Sequence, residues 1–432
     1  MSVLYRLIVI LLIPILCSSC ASISRGVTEG FLNSQSAERE DLRECSIRGS
    51  KFEGLKSFSS TEVSSASNQS EDTQGTLKVL MVHGIGEHLP GYSTRLSENL
   101  SQSMNLNVVG ARYKEIAITH PAYPDEDLGL LRIHRFTNKE ETKQMLFYEL
   151  TWSSISSDER DIIAFDDSGQ HSFRRATVNN TMKRFMNSHV AYPLIYLGES
   201  QRKINISVVT SFCWMLSRDW EDLDSFTREI CDAKQNLNFN ELDDNYAFIS
   251  HSMGSRIVTD SLQALIAYLA DEIKSNPDSN LRDIVSFMQN KRIPVFMLSN
   301  QLPLLQLGRE VPEVTNQYAE HCTSEGTKQN RRFFKELTVV AFNDPNDILS
   351  YDVPSTFVDN FMDSRLCVNM INVTLNIAEV VELFRLGTFA NPGVAHRDYD
   401  NDERVINIIT HGIEEDHVAP IVKERCTWLE TR

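Results

Sequence analysis

The residues best suited to chemistry lie in Phe248-Ile249-Ser250-His251-Ser252-Met253-Gly254-Ser255. An apolar run, Tyr246 to Ile249, enters this segment, and a helix-spaced pattern (Val258, Leu262, Leu265, Ile266, Leu269) leaves it. A serine at such a strand-to-helix junction sits on a tight turn in strained backbone geometry. Positions two before and two after it must be small, because larger side chains would meet the neighbouring elements. Ser252 meets that condition through Ser250 and Gly254, whereas Ser250 fails it because Phe248 fills its small position. The chemistry is nucleophilic attack on a carbonyl, with the Met253 N–H at the helix N-terminus available to an oxyanion. His251 reads as a packing residue of the same turn.

The segment resembles the nucleophile elbow of the α/β-hydrolase superfamily, with Ser250 standing where glycine is usual. His83-Gly84-Ile85-Gly86, which follows the apolar run Leu77 to Val82, resembles that superfamily's oxyanion-loop motif. The resemblance spans roughly residues 77 to 415 and implies a mainly parallel sheet flanked by helices. It also implies the order serine, acid, histidine, each in a turn after a strand. After the run Leu337 to Phe342 come Asp344 and Asp347; Asp347 is preferred as the acid, since Asp344 before Pro345 reads as turn chemistry, and Asp344 stays as the alternative. Of the three histidines beyond, His396 is the expected base. His411 beside Gly412 reads as a helix C-terminal residue, and His417 lies in the polar tail. The second oxyanion donor is expected from the loop Gly84 to Gly86, at Ile85, with His83 shaping that loop. Glu87 and His88 face either a pocket or solvent.

These residues need strands to carry them. Besides the three runs already named, Met145 to Trp152, Pro294 to Leu298 and Met370 to Leu375 read as strands, and a helix is expected from Asn401 to Thr410. Strands alternating with helices predict an α/β fold. Residues 154 to 240 read as a helical insertion before the nucleophile strand, and Phe212, Trp214, Met215 and Leu216 within it as either helical core or a cap. Residues 416 to 432 read as a tail.

The N-terminus reads as an export address. Arg6 precedes the apolar stretch Leu7 to Leu16, too short to span a bilayer as a helix, and Ser18 and Ser19 then lead to Cys20. Residues 1 to 19 therefore read as a signal peptide, and the stretch resembles the lipobox of bacterial lipoproteins, with Cys17 where leucine is usual. That resemblance implies lipidation of Cys20 and, with Ala21 next, an outer-membrane envelope lipoprotein. Residues 20 to 76 form the expected lipidated segment and flexible tether, with Ser, Thr and acids dominating 57 to 76. Once Cys17 is removed and Cys20 acylated, six of the eight cysteines remain, enough for up to three disulfides whose pairing spacing cannot assign.

Composition fits this picture. The 41% hydrophobic content excludes a disordered chain, and a net charge of −17 argues against a nucleic-acid partner. No metal-ligand cluster or phosphate loop is present, so no cofactor is expected. The expected activity is a serine esterase or lipase acting on small-molecule or lipid esters. An acyltransferase with the same residues, or a non-catalytic envelope lipoprotein of the same fold, is the alternative.

Overall fold

The computed structural model describes residues 45–59, 75–110, 113–164, 175–187, 191–231, 244–276, 281–382 and 388–429. The expected signal peptide, with Cys17, the expected lipidation site Cys20 and most of the expected tether lie outside these residues. Fourteen strands occur among them: β1 Cys45–Arg48, β2 Leu77–Val82, β3 Asn107–Val108, β4 Lys114–His120, β5 Tyr123–Thr137, β6 Gln144–Thr151, β7 Phe226–Thr227, β8 Asn245–His251, β9 Arg292–Leu298, β10 Glu336–Asn343, β11 Val368–Leu375, β12 Val380–Glu382, β13 Thr388–Ala390 and β14 Cys426–Leu429. Twelve form one sheet in the order β14-β1-β11-β10-β9-β8-β2-β6-β5-β4-β7, with β3 against β5, and β12 pairs with β13 apart from it.

The protein is α/β, and its sheet is mixed. The six central strands, β11-β10-β9-β8-β2-β6, run parallel. On the flanks, β1 pairs antiparallel with β11, and β5 is antiparallel to β3, β4 and β6. The mainly parallel expectation therefore describes the centre and the outermost pairs β1–β14 and β4–β7, with antiparallel pairs between them. The difference has a local cause, because β4 and β5 are joined by a two-residue connection, which permits only antiparallel pairing. That hairpin is not among the expected strands. Its second strand opens with a charged, exposed stretch (Tyr123 to Asp127), which hides the alternation that follows.

Helices cover both faces, and the central strands read as apolar runs because both faces are buried. Along β2, Leu77, Val79 and Met81 point into one core while Leu80 and Val82 point into the other, the period of two that a strand imposes. The first core is closed by Leu96 and Leu100 of the helix Thr94–Ser103 and by Val405, Ile408 and Ile409 of the helix Glu403–His411. The second is closed by the helices Ser200–Ser217 and Gly254–Ser275. Phe212 lies with its ring 5.2 Å from Phe248 and 5.9 Å from Tyr246, so this part of the expected insertion is core packed on the sheet.

The chain ends join the same sheet. β1 lies between β11 and β14, and Cys45 is bonded to Cys426, 381 residues away. Residues 45–48 and 426–429, expected within tether and tail, thus extend the folded unit beyond 77 to 415. Short strands with few apolar residues carry little sequence signal, and the covalent link holds them at the edge. Cys213–Cys231 and Cys322–Cys367 complete the pairing of all six cysteines expected in the mature chain.

Non-reducing peptide mapping is expected to recover these three linked pairs. Replacing Cys426 with serine should lower unfolding stability by about 2–5 kcal/mol, the usual cost of removing a native disulfide, in a urea titration.

Candidate active site

Ser252 lies between the last residue of β8 and the helix Gly254–Ser275, at φ +58°. A non-glycine residue in this region costs on the order of 1–3 kcal/mol and is kept where its surroundings over-determine it. Here the Ser252 N–H donates to Leu298 O of β9 at 2.8 Å, while Ser252 O accepts from Ser255 N at 3.1 Å and Ser255 Oγ at 2.9 Å. The small-residue requirement is visible at Gly254, where a Cβ would stand 2.4 Å from Val82 O at the end of β2.

The loop after β2 presses against this turn. A Cβ on Gly84 would lie 2.6 Å from His251 O, 2.7 Å from Ser252 Cβ and 2.8 Å from Met253 N, so only glycine allows the approach. Gly86 takes φ +113°, a region L side chains rarely adopt. His83 is buried with its ring stacked on Trp152, centroids 4.6 Å apart and planes 8° from parallel. Its Nε2 accepts from Trp152 N at 3.2 Å, which leaves Nδ1–H to donate to Gly84 O at 2.9 Å. Burial holds the imidazole well below the usual histidine range, with His88 adding to the effect, so His83 shapes the loop as a neutral ring. Downstream, buried Glu149 anchors the loop by accepting from Gly91 N at 2.5 Å and Ser93 N at 2.8 Å. Among the described residues no hydrogen bond has the Met253 or Ile85 amide as donor.

His396 sits on the short helix Pro392–Arg397, started by Pro392 and capped by Asn391, whose side chain accepts from Gly393 N and Val394 N. The expected position was a loop after the last strand; the chain instead forms β12 and β13 first and then this helix. His396 Nδ1 is 3.0 Å from both carboxylate oxygens of Asp347, which follows β10. Its carbonyl accepts from His251 Nε2 at 2.8 Å, and the two rings meet edge to face at 5.1 Å. Burial, reinforced by His396, pushes the His251 imidazole down to about 3, so this packing residue is a neutral donor that ties the His396 helix to the serine turn.

Asp344 takes a different place. Its Oδ2 accepts from Ile377 N at 2.7 Å and Ala378 N at 2.9 Å, and its Oδ1 from Asn346 N at 2.7 Å. Both oxygens are spent on loop backbone, and none of its hydrogen bonds reaches His396. His411 packs against Thr410 and Lys56 at a helix end. Glu87 is solvent-exposed beside Arg160, and the His88 ring lies 4.3 Å from that of His83, tilted by 36°.

Three residues that sequence reasoning passed over follow β9. Ser299, at φ +52°, donates from Oγ to Asp347 Oδ2 at 2.6 Å and lies 2.9 Å from His396 Nδ1. Asn300 donates from Nδ2 to Tyr351 O in the Asp347 loop at 2.9 Å. Gln301 Nε2 donates to Ser252 Oγ at 2.9 Å. The only signal was a polar triplet abruptly ending an apolar strand, and its meaning depends on β9 lying between β8 and β10. Among the described residues no hydrogen bond joins Ser252 Oγ to the His396 ring; Gln301 holds that oxygen instead. Ser252 is 1% exposed.

No protein-family model, no curated protein and no solved structure matches the chain.

Burial pushes the Asp347 carboxyl up, but the hydrogen bond and charge of His396, with the Ser299 hydroxyl, hold it below its ordinary value. A depressed native value means stabilisation that is fully present above the unfolded aspartate range, near 3.9, and lost as pH falls through the native one. The stability difference between wild type and Asp347→Asn in urea titrations should therefore be largest near neutral pH and shrink below about pH 4.

Proposed function

We propose that the chain is a serine hydrolase of the α/β-hydrolase type that cleaves carboxylic esters through an acyl-enzyme. The observation that carries this reading is a left-handed serine at a strand-to-helix turn, tied through the neighbouring strand end to the pair of buried Asp347 and half-buried His396. In the proposed reaction Ser252 Oγ attacks the acyl carbonyl, its proton passes to His396, and His396 gives that proton to the departing alcohol oxygen as the ester C–O bond breaks. The His396 Nδ1 faces Asp347 and Ser299, which leaves Nε2 for that transfer. Asp347 fixes the tautomer and stabilises the imidazolium, and the Met253 and Ile85 amides receive the oxyanion. Water then attacks the acyl-enzyme and gives a proton to His396, the bond to Oγ breaks to free the acid, and His396 returns that proton to Oγ. An alcohol in place of water would make the same machinery an acyltransferase.

The order of the parts also supports the superfamily reading. β2, which carries the glycine loop, lies beside β8, and after β8 the acid segment follows β10 and the histidine helix follows β13. Three disulfides suit an oxidising compartment, in line with an exported envelope lipoprotein anchored through Cys20. Such an anchor makes lipid or amphiphilic esters the substrates to try first. One observation favours a non-catalytic reading instead: Ser252 is buried and held by Gln301 rather than His396.

A fluorophosphonate probe separates these readings. Folded wild type is expected to label, with labelling abolished in Ser252→Ala and reduced at least 100-fold (~10²) in His396→Ala, since the base activates the serine. Folded wild type that does not label would favour the non-catalytic reading.

A further inference from the structure

We infer that Gln301 is a further catalytic residue, whose side-chain amide stabilises negative charge on Ser252 Oγ when the acyl bond forms and when it breaks. The inference rests on the hydrolase reading and deepens it by assigning a donor to the nucleophile itself.

Gln301 is 2% exposed, and an amide buried so fully must be hydrogen-bonded to be tolerated. Its Nε2 donates to Ser252 Oγ at 2.9 Å, the only hydrogen bond of that oxygen among the described residues. The backbone is fixed for the purpose: Gln301 N donates to Ser255 Oγ at 3.1 Å, and Ser255 Oγ donates to Ser252 O at 2.9 Å. The amide and the serine turn are thus two ends of one closed hydrogen-bonded loop. Asn300 N donates to Phe342 O of β10 at 3.0 Å, which seats the same segment on the strand that leads to Asp347.

A hydroxyl oxygen has two lone pairs and one proton. With one lone pair taken by Gln301, the second is left for the carbonyl carbon and the proton for His396 Nε2. During acylation the Oγ–H bond breaks toward His396 while the Oγ–C bond forms and the carbonyl pair moves to oxygen; the carbonyl then re-forms, the ester C–O bond breaks, and the alcohol leaves with the proton from His396. During deacylation water adds to the carbonyl and gives its proton to His396. The C–Oγ bond then breaks with its pair kept by Oγ, which recovers the proton from His396. Oγ carries excess negative charge between proton loss and bond formation, and again between bond cleavage and proton return. An N–H donor strengthens as that charge grows, so it favours the transition states over the resting hydroxyl.

Two variants test this with a readout that a packing role would not produce. Gln301→Met keeps the side-chain length without a donor, and Gln301→Glu keeps the shape but replaces Nε2–H with an acceptor. Both are measured against wild type for the second-order rate of fluorophosphonate labelling, on protein shown to be folded by circular dichroism and an unchanged thermal midpoint. The expected result is a loss of about a hundredfold to a thousandfold in Gln301→Met, the scale of one donor lost from a reacting oxygen. Gln301→Glu should be slower still near neutral pH, since a carboxylate repels the developing charge and captures the serine proton. Packing alone predicts the reverse ranking, with the isosteric glutamate closer to wild type. Wild-type rates in Gln301→Met, or a faster Gln301→Glu than Gln301→Met, would overturn the inference while leaving the hydrolase reading intact. Absence of labelling in wild type itself would overturn both. Should Gln301→Glu fail to fold, the Gln301→Met rate alone decides, with no loss refuting the donor role.

Discussion

The site depends first on how closely two backbones meet. The loop after β2 and the turn after β8 approach until a single methyl on Gly84 or Gly254 would overlap main-chain atoms of the other segment. That approach requires β2 and β8 to be neighbours in register, which they are over six paired residues from Leu77↔Asn245 to Val82↔Ser250. It also fixes the Ser252 backbone at φ +58°, because the chain must leave a strand buried from Tyr246 to Ser250 and enter a 22-residue helix within two residues of its end. The strain at Ser252 is sustained by bonds to the adjacent strand and by Met253, Ile257 and Val258, which bury the first turn of the helix in the core. Packing a few residues away thus holds the left-handed turn in place.

A second constraint acts across the sheet. Parallel strands bring the C-terminal ends of β8, β9 and β10 to one edge, and each contributes a polar group there: Ser252, the Ser299–Gln301 segment, and Asp347. Ser299 repeats the serine strategy at φ +52°, with a hydroxyl between carboxylate and imidazole. The histidine arrives from further along the chain and is held from two sides, by Asp347 through its ring and by His251 through its carbonyl. Buried polar groups of this kind are tolerated because nearly every one has a partner, and the network orients the ring without relying on a mobile loop.

Sequence alone was informative where local chemistry carries the signal. The serine turn, the glycine loop and the central strands declare themselves through small residues at fixed offsets and through apolar runs. Asp347 was separable from Asp344 only by an argument from proline and turn chemistry; the hydrogen bonds give the physical version, with Asp344 consumed by the amides of Ile377 and Ala378. What could not be read depends on which strands are neighbours. Ser299 and Gln301 gain meaning only once β9 is known to lie between β8 and β10, and Glu149 only once β6 is known to flank β2. The edge strands β1 and β14 were hidden for another reason: each is four residues long and is held by a disulfide whose partner no spacing rule identifies.

The central claim is that Ser252 forms a covalent acyl intermediate. Mixing the folded protein with excess p-nitrophenyl ester and quenching within the first turnover tests it directly. The account predicts a burst of nitrophenol of about one equivalent per chain, with the acyl mass found on the peptide that contains Ser252. An acyl group on another residue, or turnover undiminished in Ser252→Ala, would contradict it.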